Sequence, residues 1–142
     1  MKKRRIIPTE HDEQVAVLQW WESYARTKKI DPRLLFAIPN ASRLTDTGRI
    51  YKWKEGLRAG VPDLMLAWPK MSFIRIVNWR GLNQPIDKML FAGLFLEMKR
   101  IGGKPSKAQL DMADLLRRAG YNVVIAYGFE EAQRAIRAYI ES

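Results

Sequence analysis

The sequence contains no cysteine and a single histidine, His11. Without cysteine, the chain has no disulfide bonds, no thiolate nucleophile and no zinc site with sulfur ligands. With one histidine, it has neither a histidine-rich metal site nor a histidine-based catalytic triad. Any chemistry must therefore come from carboxylates, lysines and hydroxyls, and carboxylate ligands favour Mg²⁺ or Mn²⁺ over softer metals.

The chain also lacks a long hydrophobic run. No stretch reaches the roughly 18 apolar residues that a membrane-spanning helix needs, so none is predicted. Residues 1–5 are basic, as at the start of a signal peptide, but polar and acidic residues at 9–13 stand where its apolar core would follow. We interpret residues 1–9 as a solvated basic arm and expect a cytoplasmic protein with no membrane partner.

Acidic residues are outnumbered by basic ones: 15 Asp and Glu against 25 Lys and Arg give a formal net charge of +10. A field of this sign favours a polyanionic partner, of which nucleic acid is the commonest. The alternative is a basic surface that only aids solubility. With 142 residues, 47% of them hydrophobic, the chain fits a single domain (1–142) with a buried core.

Hydrophobic periodicity divides the chain into helices and strands. Helices are predicted over about residues 10–29, 46–55, 106–119 and 130–140, and strands at about 34–38, 64–67, 91–99 and 123–127. The last strand is an unbroken apolar run between two helices, which is typical of parallel pairing in a buried sheet. Residues 68–92 are interpreted as an insertion or a long hairpin. The sequence thus predicts an α/β fold, with a mixed β-sheet flanked by helices.

Two ionisable residues, Glu97 and Lys99, stand at the end of an otherwise apolar strand. Strand side chains alternate between faces, so these two share one face, while Leu94, Leu96 and Met98 point into the core. A charge removed from water requires a partner, a metal or a function.

Asp63 lies at the start of the preceding core strand. If the two strands are antiparallel neighbours, Asp63 and Glu97 come close, and two such carboxylates repel unless a cation lies between them. A divalent metal there could polarise a phosphate oxygen and lower the pKa of a bound water, while Lys99 positions or activates that water. The alternative is an ion-pair cluster at a sheet edge, without chemistry.

Three segments together resemble the VRR-NUC domain, the virus-type replication-repair nuclease of the PD-(D/E)XK nuclease superfamily. They are residues 60–64 (GVPDL), 96–99 (LEMK) and 106–109 (SKAQ). The resemblance extends over about residues 13–127, and it implies a restriction-endonuclease-like fold.

The same resemblance implies a set of site residues. Asp63 and Glu97 would bind metal with the backbone carbonyl of Met98, and Lys99 would be the catalytic lysine. The acidic residue that the family has in its first helix corresponds to Glu13, here a further metal ligand. For Glu13 the alternative is an exposed acid near a helix N-terminus. The long interval between Asp63 and Glu97 departs from the family pattern.

Gln109 and Asn40 each have two interpretations. Residues 106–109 form a Ser-x-x-Gln capping box in which Gln109 reaches back to the backbone of Ser106, whereas the resemblance gives Gln109 a place near the active site. The two roles can coexist. Asn40 is either a plain turn residue after Pro39 or the asparagine that the family places at the end of its first strand, close to the site.

Basic residues are dense between positions 43 and 58, with aromatic residues among them. We predict contacts with the substrate backbone, which position DNA without reading its sequence. The predicted set is Asn40, Arg43, Arg49, Lys52, Lys54 and Arg58. A solvated helix face is the alternative. Tyr51 and Trp53 could stack on unpaired bases, although core packing is the alternative for at least one of them.

Together these features predict a Mg²⁺- or Mn²⁺-dependent endodeoxyribonuclease. The resemblance further implies phage or prophage origin, a role in replication and repair inside a bacterial host cell, and branched DNA such as four-way junctions as substrate. Because cutting two strands requires two sites, we expect a homodimer. Two alternatives stay open: a non-catalytic DNA-binding module with the same fold, and a nuclease directed at RNA.

Overall fold

The computed structural model describes residues 8–39, 53–77 and 83–142, with the backbone alone for 73–77 and 83–86. Most of the predicted basic arm therefore lies outside the described residues. So do four of the predicted nucleic-acid contacts, Asn40, Arg43, Arg49 and Lys52, together with Tyr51. Of the predicted helix over 46–55, the described part is helical at residues 53–54, and Gly56 follows with a left-handed φ of 101°.

Among the described residues, three helices and four strands occur in the predicted order, and two further strands lie within residues 68–92. The helices are α1 (Glu10–Thr27), α2 (Lys107–Arg118) and α3 (Phe129–Glu141), with a short 3₁₀ helix at Pro32–Leu34. The strands are β1 (Leu35–Ala37), β2 (Leu64–Leu66), β3 (Lys70–Val77), β4 (Asn83–Phe91), β5 (Leu94–Lys99) and β6 (Asn122–Tyr127).

Four strands form one mixed sheet in the order β1-β2-β5-β6. β1 pairs antiparallel with β2, β2 pairs antiparallel with β5, and β5 pairs parallel with β6. The parallel pair is connected through α2, because a strand cannot return parallel to its neighbour by a tight turn. The predicted α/β architecture, a mixed sheet flanked by helices, is confirmed.

The remaining two strands form a separate antiparallel pair, β3 with β4. This pair occupies the segment for which the sequence predicts an insertion or a hairpin, and it separates β2 from β5 along the chain. β4 runs to Phe91, so the strand predicted from position 91 is divided at residues 92–93. Gly93 lies there with its α carbon against β2: a Cβ would come within 2.9 Å of the Leu66 carbonyl oxygen.

The core lies between the sheet and the pair α1 and α3. The inward sheet residues Leu64, Leu66, Leu94, Leu96 and Met98 are at most 1% exposed, as predicted for the β5 residues. They pack with one face of each helix, formed by Val17, Trp21, Tyr24, Ala132, Ile136 and Tyr139. Each large side chain buried here contributes roughly 1.5–3 kcal/mol from removal of its apolar surface from water. In the described part of the chain, no helix is both long and apolar enough to cross a membrane.

Candidate active site

Glu97 and Lys99 are the two buried charged side chains of the described core. Glu97 is 3% exposed and Lys99 is 7% exposed, and both leave β5 on the same face, as the alternation predicts. The Lys99 ammonium donates to Glu97 Oε1 at 2.5 Å and to the Met98 carbonyl oxygen at 3.2 Å. The buried ammonium is therefore compensated by a carboxylate and a backbone carbonyl, as a charge in a protein interior requires.

Asp63 is held in place by two hydrogen bonds, one beside β1 and one to β5. Its backbone carbonyl accepts from the N–H of Ile38, next to β1, at 2.8 Å, and its Oδ2 accepts from the N–H of Met98 at 2.8 Å. Leu64 pairs with Leu96, so continuing the register by one residue sets Asp63 opposite Glu97. β2 and β5 are therefore antiparallel neighbours, which is the condition for Asp63 and Glu97 to come close.

Burial raises the pKa of Glu97 from its ordinary value of 4.5 to about 7. The hydrogen bond from Lys99 opposes this shift, and the negative charge of Asp63 adds to it. Removal from water and a second carboxylate both disfavour the ionised form of an acid. A nearby cation in addition to Lys99 would relieve this penalty.

Asp63, Glu97 and the Met98 carbonyl present hard oxygen donors at one end of β5, the donor type that Mg²⁺ and Mn²⁺ favour. These residues could hold such an ion. Within the residues that the structure describes, no three Asp, Glu or His side chains are grouped closely enough to hold one metal. An ion held here would therefore take no more than two carboxylate side chains of the described residues as ligands.

Gln109 joins α2 to this cluster, and its side chain makes both predicted kinds of contact at once. Its Oε1 accepts from the N–H of Ser106 at 2.8 Å, which completes a capping box at the start of α2. Its Nε2 donates to Glu97 Oε1. Because the cap fixes the oxygen end of the amide, the nitrogen end is directed at the Glu97 carboxylate.

Two acidic residues in the first turn of α1, Glu13 and Glu10, have different partners. Glu13, the predicted ligand, accepts from the N–H of Phe129 at 2.8 Å, at the start of α3. Glu10 instead accepts from the N–H of Arg100 at 3.3 Å and lies 3.9 Å from the Lys99 ammonium. The structure thus brings Glu10 to the site, and it does not group Glu13 with Asp63 and Glu97.

The position of Glu13 has a physical reason. The residue that precedes α3 is Gly128, which has no side chain to cap the helix, so a carboxylate from α1 takes this role. A carboxylate is also favoured there by the positive end of the helix dipole. Glu10 was not among the predicted site residues, although α1 begins after a Thr9–Asp12 capping box and has both Glu10 and Glu13 in its first turn.

Lys54 and Arg58, the two predicted nucleic-acid contacts within the described residues, are both exposed and lie in the segment that leads to Asp63. Arg58 donates to the carbonyls of Trp53 and Leu57, at 2.9 and 3.1 Å, and its guanidinium lies over the Trp53 ring. Trp53 is 61% exposed, so it is not part of the core. The structure places these side chains on the surface rather than among the buried site residues.

Comparison with known proteins adds to this description at the level of the fold. No family model matches the chain, and no curated protein matches it significantly. A solved structure described as a VRR_NUC domain protein matches with a TM-score of 0.63 and 21% sequence identity, over 96% of this chain and 91% of its own. At this identity the match establishes a shared fold and leaves activity to other evidence. The chain has the fold of that VRR_NUC domain protein.

Proposed function

We propose that this protein is a metal-dependent nuclease that hydrolyses phosphodiester bonds in DNA. One observation carries the proposal: Glu97 and Lys99 are buried together, and Asp63 is fixed opposite them by a hydrogen bond to the Met98 amide. A fold needs no buried carboxylate and ammonium of this kind, since apolar residues of the same volume would stabilise it equally well or better. The shared fold with a VRR_NUC domain protein supports the same conclusion.

The residues have distinct roles in this proposal. Asp63, Glu97 and the Met98 carbonyl would hold Mg²⁺ or Mn²⁺. When bound, the ion would supply Lewis-acid chemistry, withdrawing electron density from a phosphate oxygen and from the attacking water. The Lys99 ammonium would orient that water and offset negative charge that develops on the phosphoryl oxygens. Gln109 would keep the Glu97 carboxylate in one orientation through its Nε2 donor.

Plasmid and four-way-junction cleavage tests the proposal directly. Wild type is incubated with Mg²⁺, with Mn²⁺ or with chelator, beside Asp63→Ala and Lys99→Ala. We expect cleavage with either metal, none with chelator, and a loss of about 100-fold or more in each variant, the usual cost of removing a group that stabilises developing charge. Matched controls are Asp114→Ala on α2 and Lys88→Ala on β4, both exposed, which should stay within about twofold of wild type.

The alternatives give different results in the same assay. Equal cleavage by wild type, Asp63→Ala and Lys99→Ala would overturn the mechanism. Binding without cleavage in any metal would favour a non-catalytic DNA-binding module. An RNA strand of the same sequence, cut faster than its DNA counterpart, would redirect the proposal to RNA, since the 2′-hydroxyl distinguishes the two substrates.

The finer features of the substrate and assembly belong to the same proposal. We infer a preference for branched DNA, a homodimer with one site for each strand, and a role in phage replication and repair within a bacterial host. Backbone contact would come from the basic segment that includes Lys54 and Arg58. Sedimentation of the purified protein tests the dimer, and binding across a salt series tests the phosphate contacts, since affinity should fall steeply with ionic strength.

A further inference from the structure

Trp53 is the most exposed aromatic residue among those whose side chains the structure describes. It is 61% exposed, against 37% for Trp68 and 45% for Phe36. The Trp53 side chain gains nothing from core burial at this exposure, although a tryptophan is among the most costly side chains to leave in water. This aromatic surface is therefore available for contact with another molecule.

The ring is also held in place by its neighbour. The Arg58 guanidinium carbon lies 5.4 Å from the centre of the Trp53 ring, and the same guanidinium donates to the Trp53 and Leu57 carbonyls. An arginine fixed by its own loop and stacked on an indole forms a cation–π pair. It covers one face of the ring, and the exposure of the side chain leaves ring surface for a second planar group.

The charges around Trp53 favour a polyanion. Residues 53–60 carry Lys54 and Arg58 and one carboxylate, Glu55, within a chain whose formal net charge is +10. Aromatic rings beside basic side chains are how proteins bind unpaired nucleotides: the base stacks on the ring while the phosphates meet the cations.

The segment is connected to the candidate active site through Gly60. The α carbon of Gly60 packs against the Ala108 and Gln109 backbone, next to the amide that contacts Glu97. Trp53 and Gly60 are seven positions apart in the sequence, so even a fully extended chain would keep their α carbons within about 25 Å. A nucleic acid bound at Asp63 and Glu97 can therefore reach Trp53 within several nucleotides.

We propose that Trp53, backed by Arg58, stacks an unpaired base of DNA that is bound across the candidate active site. This inference rests on the proposed function and deepens it, because it names a part of the substrate that this segment would contact: an unpaired base, as in a single-stranded tail beside a duplex. Paired bases are already stacked on their neighbours and do not engage the ring.

Binding in chelator, where cleavage is not expected, tests the inference apart from catalysis. Affinities are measured for a fully paired duplex and for the same duplex carrying a single-stranded tail of about ten thymidines. Trp53→Ala should weaken binding of the tailed DNA roughly 5-fold or more and leave the duplex within about twofold, whereas Trp53→Phe should retain most of the affinity. Leu115→Ala, which removes an exposed side chain from α2, is the control and should change neither.

Equal losses on both DNAs, or no loss on the tailed DNA, would overturn the stacking role, as would failure of wild type to bind either DNA. A 2-aminopurine moved along the tail adds a direct readout: its fluorescence should be quenched at one position in wild type and not in Trp53→Ala. Failure of the proposed nuclease function would give a different result. A protein that stacks a base of the tail but cleaves no DNA with Mg²⁺ or Mn²⁺ would keep the stacking role of Trp53, and only the proposed hydrolase activity would be overturned.

Discussion

The α carbon of Gly60 lies directly against the carbonyl of Ala108 in the first turn of α2. A Cβ at Gly60 would come within 2.8 Å of the Gln109 nitrogen and closer still to the Ala108 carbonyl oxygen. Gly60 also has a φ of 79°, a left-handed conformation that glycine adopts at little cost. This contact sets the distance between the segment that leads through Asp63 into β2 and the helix that carries Gln109.

Gly60→Ala is therefore expected to be far more disruptive than Gly56→Ala. Both positions have a positive φ, 79° and 101°, but a Cβ at Gly56 would meet nothing within 4 Å. Gly56→Ala should cost about 1–2 kcal/mol of backbone strain. Gly60→Ala adds overlap with backbone atoms that cannot rotate away, and should cost about 3 kcal/mol or more. Urea unfolding of the two variants checks this, and equal costs would contradict it.

Ionisation of Glu97 should make the metal-free protein less stable as pH rises. Below pH about 4.5 the Glu97 carboxyl is protonated in both the folded and the unfolded protein. Between pH about 4.5 and 7 it ionises only in the unfolded protein, because folding raises its pKa to about 7. The free energy of unfolding should therefore fall across this interval, by an amount on the order of 1–3 kcal/mol. Glu97→Gln should lack this dependence in chelator. Parallel curves for the two proteins would refute the prediction.

Glu13→Ala should destabilise the fold more than Glu10→Ala. Glu13 caps α3 through the Phe129 N–H, so its loss should cost about 1–2 kcal/mol, the range for a helix cap with a favourable dipole contact. Glu10 is half exposed, and its loss should cost under about 1 kcal/mol. Thermal unfolding measures the loss of stability in both variants. Calorimetric titration with Mn²⁺ tests whether Glu13 is a metal ligand. Unchanged stability with lost Mn²⁺ binding in Glu13→Ala would restore its predicted metal role.

Ser106→Ala and Gln109→Ala should separate the capping of α2 from the contact with Glu97. Each removes one half of the capping box and should cost about 1 kcal/mol of stability. Gln109→Ala alone also removes the donor to Glu97, so only this variant should lower cleavage, by about 10-fold or more. A plasmid cleavage assay with both variants tests this prediction. An equal fall in cleavage would mean that Gln109 acts only by capping α2.

The arrangement within single elements followed from the sequence. Period-two alternation sets Glu97 and Lys99 on one face of β5 and Leu96 on the other, whatever the strand pairs with. The Ser106–Gln109 spacing defines the start of α2, because a capping box is closed within one turn. An apolar run between two helices was enough to predict that β6 is parallel to its neighbour.

The pairing of the inserted strands was harder to predict. Within this segment the sequence predicts strand character at residues 73–77 and a turn at residues 81–85. Strand propensity does not determine which strand a segment will pair with. Among the described strands, β3 and β4 pair only with each other, and residues 92–93 connect this pair to β5, the neighbour of β2. β5 consequently begins at Leu94 rather than at 91, because Gly93 must pass close to the Leu66 carbonyl.

Most of the helices and strands, the Ser106–Gln109 cap and the shared face of Glu97 and Lys99 could be derived from the sequence alone, since each depends on residues a few positions apart. Tertiary structure decided which distant groups meet: the Asp63 carboxylate with the Met98 amide, Gln109 with Glu97, and Glu10 rather than Glu13 with Lys99. Glu10 and Glu13 are three residues apart and share a helix face, so periodicity treats them alike. Only the way α1 packs against β5 and α3 gives one acid to Lys99 and the other to the Phe129 amide.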